Sequence, residues 1–401
     1  MIRGDFMNVE KIQKALKTEG IDGWLFYDFH NRDPIAYRIL GLDFGKFTSR
    51  RWYYFIPAIG TPVKLAHRVE PTKLDGLAGD QLHYLSWTEL HEILQRIIGA
   101  PPRQIAMQYS PMNHIPYVSM ADAGTVDMIK AFGYKVVSSA NLVQIFEAVI
   151  DHTGYESHVK ASRLIYQIMD DAFGEISGAL VKGKEVTEYE IQQFIVSQFA
   201  ANKLDCMDEY PIVGVNDHPA NPHFEPTPEN SRVIQKGDTI LIDLWAKVAE
   251  PGAIFADITW CGYAGTRPPD KYVEIFNAVR DARSAGLDFI RDRFAENKPC
   301  FGWEVDKAVR DVIGKRGYGD YFIHRTGHSI GEEVHGNGVN IDNLETKEER
   351  QLIPGICFSI EPGIYLEGEM AVRSEIDVFI TLQNEVVVAG PEQQALVLMD
   401  V

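Results

Sequence analysis

The chain is 401 residues long, 45% hydrophobic and 24% charged, an ordinary globular composition that is richer in apolar residues than a disordered chain of that charge. Its 39 basic and 57 acidic residues leave a formal charge of −18. Phosphate binding draws on Lys and Arg, so this balance, without any basic run, speaks against nucleic acid as a partner.

The four cysteines (Cys206, Cys261, Cys300 and Cys357) are scattered with no CxxC pair, which excludes a finger-type zinc site and reads as reduced thiols. The amino-terminal MIRGDFMNVEKIQKAL has no apolar leader core, and no apolar run nears the roughly 18 residues of a membrane span. The expectation is a cytoplasmic protein with no membrane partner.

Residues 8–24 open with a helical pattern (Val9, Ile12, Leu16) and run into Trp24-Leu25-Phe26-Tyr27, which reads as a buried strand. Further strands are expected at Trp52–Ile56 and Val63–Ala66, and helix and strand alternate to about residue 150 in the manner of an α/β domain. Asp151-His152-Thr153-Gly154 interrupts the pattern. Beyond it, Val159, Leu164, Ile165, Ile168, Met169 and Phe173 form one apolar helical stripe, and Thr187 with Glu190 makes a capping box for a second helix. Helices are expected near Tyr272–Phe294 and Val305–Lys315, and antiparallel strands at 238–248, 253–263, 356–366 and 371–380.

Four carboxylates lie in these apolar strands. Asp243 and Asp257 flank the turn Glu250-Pro251-Gly252, and pairing centred on residue 250 sets them roughly opposite each other, about 5 Å apart at Cβ. Glu361 and Glu375 flank Glu367-Gly368-Glu369 with the same separation, centred on Gly368. Facing like charges destabilise a hairpin, and burial adds to the cost. Two matched pairs therefore call for a multivalent cation.

Between the hairpins, His324-Arg325-Thr326-Gly327-His328-Ser329-Ile330-Gly331-Glu332-Glu333-Val334-His335 holds three of the twelve histidines. An imidazole ligand moves the preference from calcium or magnesium toward manganese, cobalt, iron or zinc. The stretch also contains a GxSxG match, Gly327 to Gly331, the nucleophile elbow of serine hydrolases. That elbow needs a strand before it, a helix after it and a catalytic histidine well downstream. The only histidine after Ser329 is His335, so the match is set aside.

Taken together, these residues resemble the creatinase/prolidase/aminopeptidase P group of metallopeptidases. The resemblance is weak over residues 1–150 and strong over the rest. Asp243, Ala256-Asp257-Ile258-Thr259, the His324–His335 segment, Glu361-Pro362-Gly363-Ile364-Tyr365 and Val372-Arg373-Ser374-Glu375-Ile376-Asp377 stand where that group has its motifs. It implies an α/β amino-terminal domain (1–150) and an α+β pita-bread catalytic domain (151–401). The implied cofactors are two divalent metals per chain, manganese first, with cobalt, zinc or iron as alternatives. Asp257 and Glu375 would bridge the metals, Asp243 would chelate one, and His328 and Glu361 would complete the other.

The same resemblance makes Glu361 the proton shuttle and His335 the group that stabilises the carbonyl, and puts His223, His324, Tyr365 and Arg373 on the substrate side. It implies a homodimer acting on small peptides, and removal of the first residue from Xaa-Pro dipeptides or longer Xaa-Pro peptides. Non-peptide hydrolysis or lysis, and a non-catalytic binding role, are the alternatives. The full ligand set argues against the branches of the group that have lost ligands. The departures, Leu244-Trp245-Ala246-Lys247 after the first aspartate, a longer turn before Asp257, Trp260 for an arginine and Gly336 after His335, fall on the substrate pocket. Trp245 and Trp260 are candidates for its walls or for plain core.

Overall fold

The computed structural model describes residues 9–401; the reading of residues 1–8 as free of a leader lies outside them. The described chain divides into two compact units, one ending at Glu147 and one spanning Ala148–Val401.

In the first unit, α1 (Val9–Glu19) leads to β1 (Gly23–Asp28), α2 (Pro34–Leu40), β2 (Trp52–Pro57), β3 (Val63–His67) and β4 (Asp80–Tyr84). Then come α3 (Trp87–Ile98), β5 (Gln104–Met107), α4 (Ala123–Ala131), β6 (Lys135–Ser138) and α5 (Ala140–Glu147). The strands form one sheet of order β4-β3-β2-β1-β5-β6. Its aromatic runs follow from burial on both faces, because successive strand residues alternate sides. Trp24, Phe26, Trp52 and Tyr54 pack with Leu16, Ile35 and Leu142, while Leu25, Tyr27, Tyr53 and Phe55 pack with Leu90, Leu94 and Ile129.

The second unit opens with α6 (His152–Val181), capped by the Asp151 carboxylate, and α7 (Glu188–Ala201), which starts on the Thr187/Glu190 capping box. Two short strands that the sequence pattern did not reveal, β7 (Leu204–Asp205) and β8 (Ile212–Val215), join the longer β9 (Thr239–Val248) and β10 (Ala256–Tyr263). After α8 (Asp270–Ala295) and α9 (Gly302–Lys315) come β11 (Ser329–Ile330), β12 (Cys357–Ile360), β13 (Gly363–Leu366), β14 (Met370–Arg373), β15 (Ile376–Ile380), β16 (Val386–Val388) and β17 (Val397–Leu398).

Each strand system has its own helical cover. Ile240, Ile242, Leu244 and Ala246 of β9 pack with Ile165, Met169 and Phe173 of α6 and Ile191 and Ile195 of α7. Phe358, Ile360, Ile376 and Val378 pack with Leu287 and Ile290 of α8 and Val305 of α9. Helical cover on the even-numbered face of β9 leaves the odd-numbered face of β9 and β10, which bears Asp243 and Asp257, for the interior of the unit. Among the described residues, no helix is long and apolar enough to cross a membrane.

Candidate metal centre

The β9–β10 ladder pairs Asp243 with Thr259 and Asp257 with Trp245. The expected direct opposition of the two aspartates is therefore corrected: the turn is centred one residue later than Glu250, and the register slips by two positions. An even slip keeps both carboxylates on one face, now as diagonal neighbours.

In the other hairpin the register centred on Gly368 holds, with Ile360 opposite Ile376 and Gly363 opposite Arg373. Glu361 and Glu375, however, fall in the unpaired gap where the chain leaves the β12–β15 ladder and enters the β13–β14 pair. Their backbone groups are thus free to bond elsewhere. The Glu375 N–H donates to the Thr259 carbonyl at 3.2 Å and the Glu361 N–H to the Thr326 carbonyl at 2.7 Å. These bonds bring the two hairpins and the histidine segment together.

Gly327 lets that segment approach: a Cβ there would meet the Ser359 carbonyl oxygen at 2.0 Å. The His328 N–H then donates to Ser359 Oγ at 3.0 Å, and that hydroxyl donates to Glu361 Oε1 at 3.1 Å. Ser329 itself is buried in a strand, its hydroxyl accepting the Gly338 N–H at 3.0 Å, and no helix follows it. This removes the nucleophile-elbow reading.

Asp257, His328 and Glu375 offer ligand atoms that all lie within 4.8 Å of one another, and all three are buried. His328 Nε2 is 3.6 Å from Asp257 Oδ2 and 3.4 Å from Glu361 Oε1. Asp243 joins the group through Arg373, whose guanidinium bonds its carboxylate. Asp243, Asp257 and Glu375 each keep one buried carboxylate oxygen with no hydrogen-bond partner. Buried carboxylate oxygens without partners are costly, and a cation held by these carboxylates and His328 relieves that cost. The residues fit a divalent metal site.

The electrostatics agree. Burial, then the charges of Asp243, Asp377 and Glu361, pushes the Asp257 carboxyl well above the usual carboxylate range. Burial, then Asp257, Glu361 and Asp243, does the same to Glu375. Burial raises Glu361 to about 7 against the opposing pull of Arg373 and Arg325. Burial, helped by His335 and Arg325, keeps His328 neutral, as a metal-binding imidazole must be.

One wall is fully hydrogen-bonded. Arg373 Nη1 donates to the Tyr365 hydroxyl at 2.9 Å, and that hydroxyl meets His324 Nε2 at 2.7 Å. Since His324 Nδ1 faces the Arg325 carbonyl at 2.7 Å and must carry its proton there, Nε2 is the acceptor. His335 stacks edge-on against His328 with ring centroids 4.4 Å apart and keeps an exposed side. His223 lies in an exposed loop, and burial, then Arg325, lowers the His335 imidazole to about 4.

Thr259 carries a role that sequence reasoning did not assign. Its buried hydroxyl accepts from Arg373 Nε at 3.1 Å and donates to Glu375 Oε2 at 2.8 Å. The signal was its place two residues after Asp257, on the same strand face. Trp245 and Trp260 separate. Trp260 projects to the helix-covered face, packing on that core with Tyr166 6.0 Å away, so it is not a pocket wall. Trp245 stands on the carboxylate face across from Asp257, with its indole N–H buried and unpartnered.

Comparison with known proteins identifies the family. The model of metallopeptidase family M24 matches residues 156–382, more than half of the chain. The chain is 26% identical over 348 residues to the probable dipeptidase PepE of Mycobacterium bovis, covering 86% of this chain and 84% of that one. It is 35% identical over 164 residues to the Xaa-Pro dipeptidase of Lactobacillus helveticus, covering 41% and 40% of the two chains. The crystal structure of dipeptidase PepE from Mycobacterium ulcerans superposes with a TM-score of 0.67 at 23% identity, over 98% of this chain and 97% of that one. The fold is an α/β amino-terminal domain followed by the pita-bread architecture, and the chain belongs to metallopeptidase family M24.

Proposed function

We propose that this protein is a dinuclear-metal exopeptidase that removes the amino-terminal residue from Xaa-Pro dipeptides or Xaa-Pro-led peptides. The observation that carries the reading is the convergence of Asp257, His328 and Glu375 within 4.8 Å, with Asp243 and Glu361 bonded into the same cluster. Asp243, Asp257 and Glu375 would hold one metal, and Asp257, Glu375, His328 and Glu361 the other, manganese being the first choice and cobalt, zinc or iron the alternatives. When bound, two such ions activate water and polarise the scissile carbonyl. Similarity to the probable dipeptidase of Mycobacterium bovis and the Xaa-Pro dipeptidase of Lactobacillus helveticus supports a small-peptide substrate.

The protein's own groups do the rest. Glu361, whose Oε1 lies 3.4 Å from His328 Nε2 within the cluster, is positioned to accept a proton from water and deliver it to the leaving nitrogen. His335 offers its exposed edge to the carbonyl oxygen as charge develops there. The Arg373–Tyr365–His324 chain fixes the wall beside Asp243 and presents a rigid face to the substrate. His223, in an exposed loop, would meet the substrate at the rim.

The test is hydrolysis of Xaa-Pro dipeptides and Xaa-Pro-Yaa tripeptides by metal-stripped protein reloaded with manganese, cobalt or zinc, with Glu361→Gln in parallel. Metal-dependent release of the first residue, abolished in the variant, is the expected result, and the two substrate lengths separate dipeptidase from aminopeptidase. Two bound metals without cleavage of any Xaa-Pro substrate would sink the specificity and leave a non-peptide substrate as the alternative.

A further inference from the structure

Behind the carboxylate cluster lies a polar group that the proposed reaction does not use. His158, Cys357 and Asp377 are all buried. His158 Nε2 is 3.9 Å from both Asp377 Oδ2 and Cys357 Sγ. An imidazole and a carboxylate sealed from water are expensive unless they hold something in place.

What they hold is the backbone that enters Asp257. β10 has strand neighbours on both sides only at its far end, since β17 pairs with Gly262 and Tyr263 alone. Along the rest of that outer edge, other groups stand in for the missing strand. Gln393 bonds both backbone groups of Cys261, at 3.0 and 2.6 Å, and the Glu375 N–H reaches the Thr259 carbonyl. At Asp257 the stand-in is Asp377, whose Oδ2 accepts the Asp257 N–H at 2.8 Å.

Two residues earlier, the Phe255 carbonyl accepts from His158 Nδ1 at 2.7 Å, while the Phe255 N–H donates to the Gly331 carbonyl at 3.0 Å. The Ile254 N–H donates to Ser157 Oγ at 3.0 Å. The approach to Asp257 is thus tied at successive backbone groups by side chains of α6 and β15.

We propose that Asp377 and His158 are positioning residues that lock the Phe255–Asp257 backbone and so aim the Asp257 carboxylate, Asp377 acting through the oxygen that accepts the Asp257 N–H. The clamp rests on the reading of Asp257 as a metal ligand. Partners of this kind, one bond removed from a ligand, typically change metal affinity by about 10–100-fold when lost.

The experiment is calorimetric titration of metal-free, full-length protein with manganese, using wild type, Asp377→Ala, Asp377→Asn, His158→Phe and His158→Gln, with folding checked by circular dichroism at the same temperature. The expected result is a dissociation constant weakened by about 10–100-fold in the Ala and Phe variants. Recovery to within about threefold of wild type is expected in Asn, which keeps the acceptor, and in Gln, which keeps a donor for Phe255. A purely structural role would lower the unfolding midpoint and leave the constant unchanged, which would overturn the clamp alone. An Asn variant as weak as Ala would overturn the acceptor assignment. If Asp377→Ala does not fold, the Asn variant and the His158 pair decide by the same criteria. Wild-type protein that binds no manganese would overturn the metal reading and the clamp with it.

Discussion

The two acid-bearing hairpins look alike in sequence and differ in construction. In β9–β10 the ladder is continuous through both acids, and strand alternation alone puts Asp243 and Asp257 on one face. In the other hairpin the ladder breaks where Glu361 and Glu375 stand. The freed amides of that gap reach the Thr259 and Thr326 carbonyls. The first hairpin sets ligand direction by register, and the second sets ligand depth by giving up pairing. A site assembled from both needs a link between them, and Thr259 supplies it through its carbonyl and its hydroxyl.

The largest expected effect tests whether the two hairpins act as one site. Asp257→Ala in one or Glu361→Gln in the other should each lower kcat by about 10²–10⁴-fold or more, with a double variant no worse than the poorer single, measured on an Xaa-Pro dipeptide at saturating metal. Additive losses would mean two independent sites.

Next comes the link. Thr259→Val strands Arg373 Nε and one Glu375 oxygen in a buried setting, so about 1–3 kcal/mol of stability should go, together with roughly tenfold in metal affinity. Denaturant unfolding and metal titration read the two losses separately.

A smaller effect is the pH dependence of loading. Asp257 and Glu375 are held well above the carboxylate range and Glu361 at about 7, so the metal-free site carries protons that a metal must displace. Metal affinity should therefore rise with pH through about 7, and calorimetry in buffers of different ionisation enthalpy should detect the released protons. For stability the sign is the reverse. The folded metal-free state binds the extra protons, so the contribution of these carboxyls is present below their unfolded values and is lost as pH rises through about 7.

The smallest effect separates the two tryptophans. Trp260→Phe should cost only stability, about 1 kcal/mol in a well-packed core. Trp245→Phe should shift KM as well, because Trp245 packs on Ile254 and Phe255 yet stands on the carboxylate face across from Asp257.

Much of this was legible in the sequence, for identifiable reasons. Apolar runs around Trp24 and Trp52 marked buried strands because both sheet faces are covered, and Thr187 with Glu190 announced a helix start because the capping box is local. The acids in apolar strands pointed to a cation for the same reason that their oxygens are unpartnered in the fold.

What escaped depended on distance along the chain. The two-position slip at Asp243 and Asp257 follows from turn geometry that residue types do not encode. The short β7 and β8 are too brief to show a period. The partnership of Asp377 with the Asp257 N–H spans 120 positions, and the parting of Trp245 from Trp260 is visible only once the register is known.

The most direct test of the central claim is an anomalous difference map from crystals grown with manganese. The account predicts two peaks per chain, about 3.5–4 Å apart, lying between the carboxylates of Asp257 and Glu375, with Asp243 on one side and His328 and Glu361 on the other. A single peak elsewhere, or none at these residues in manganese-saturated crystals, would contradict it.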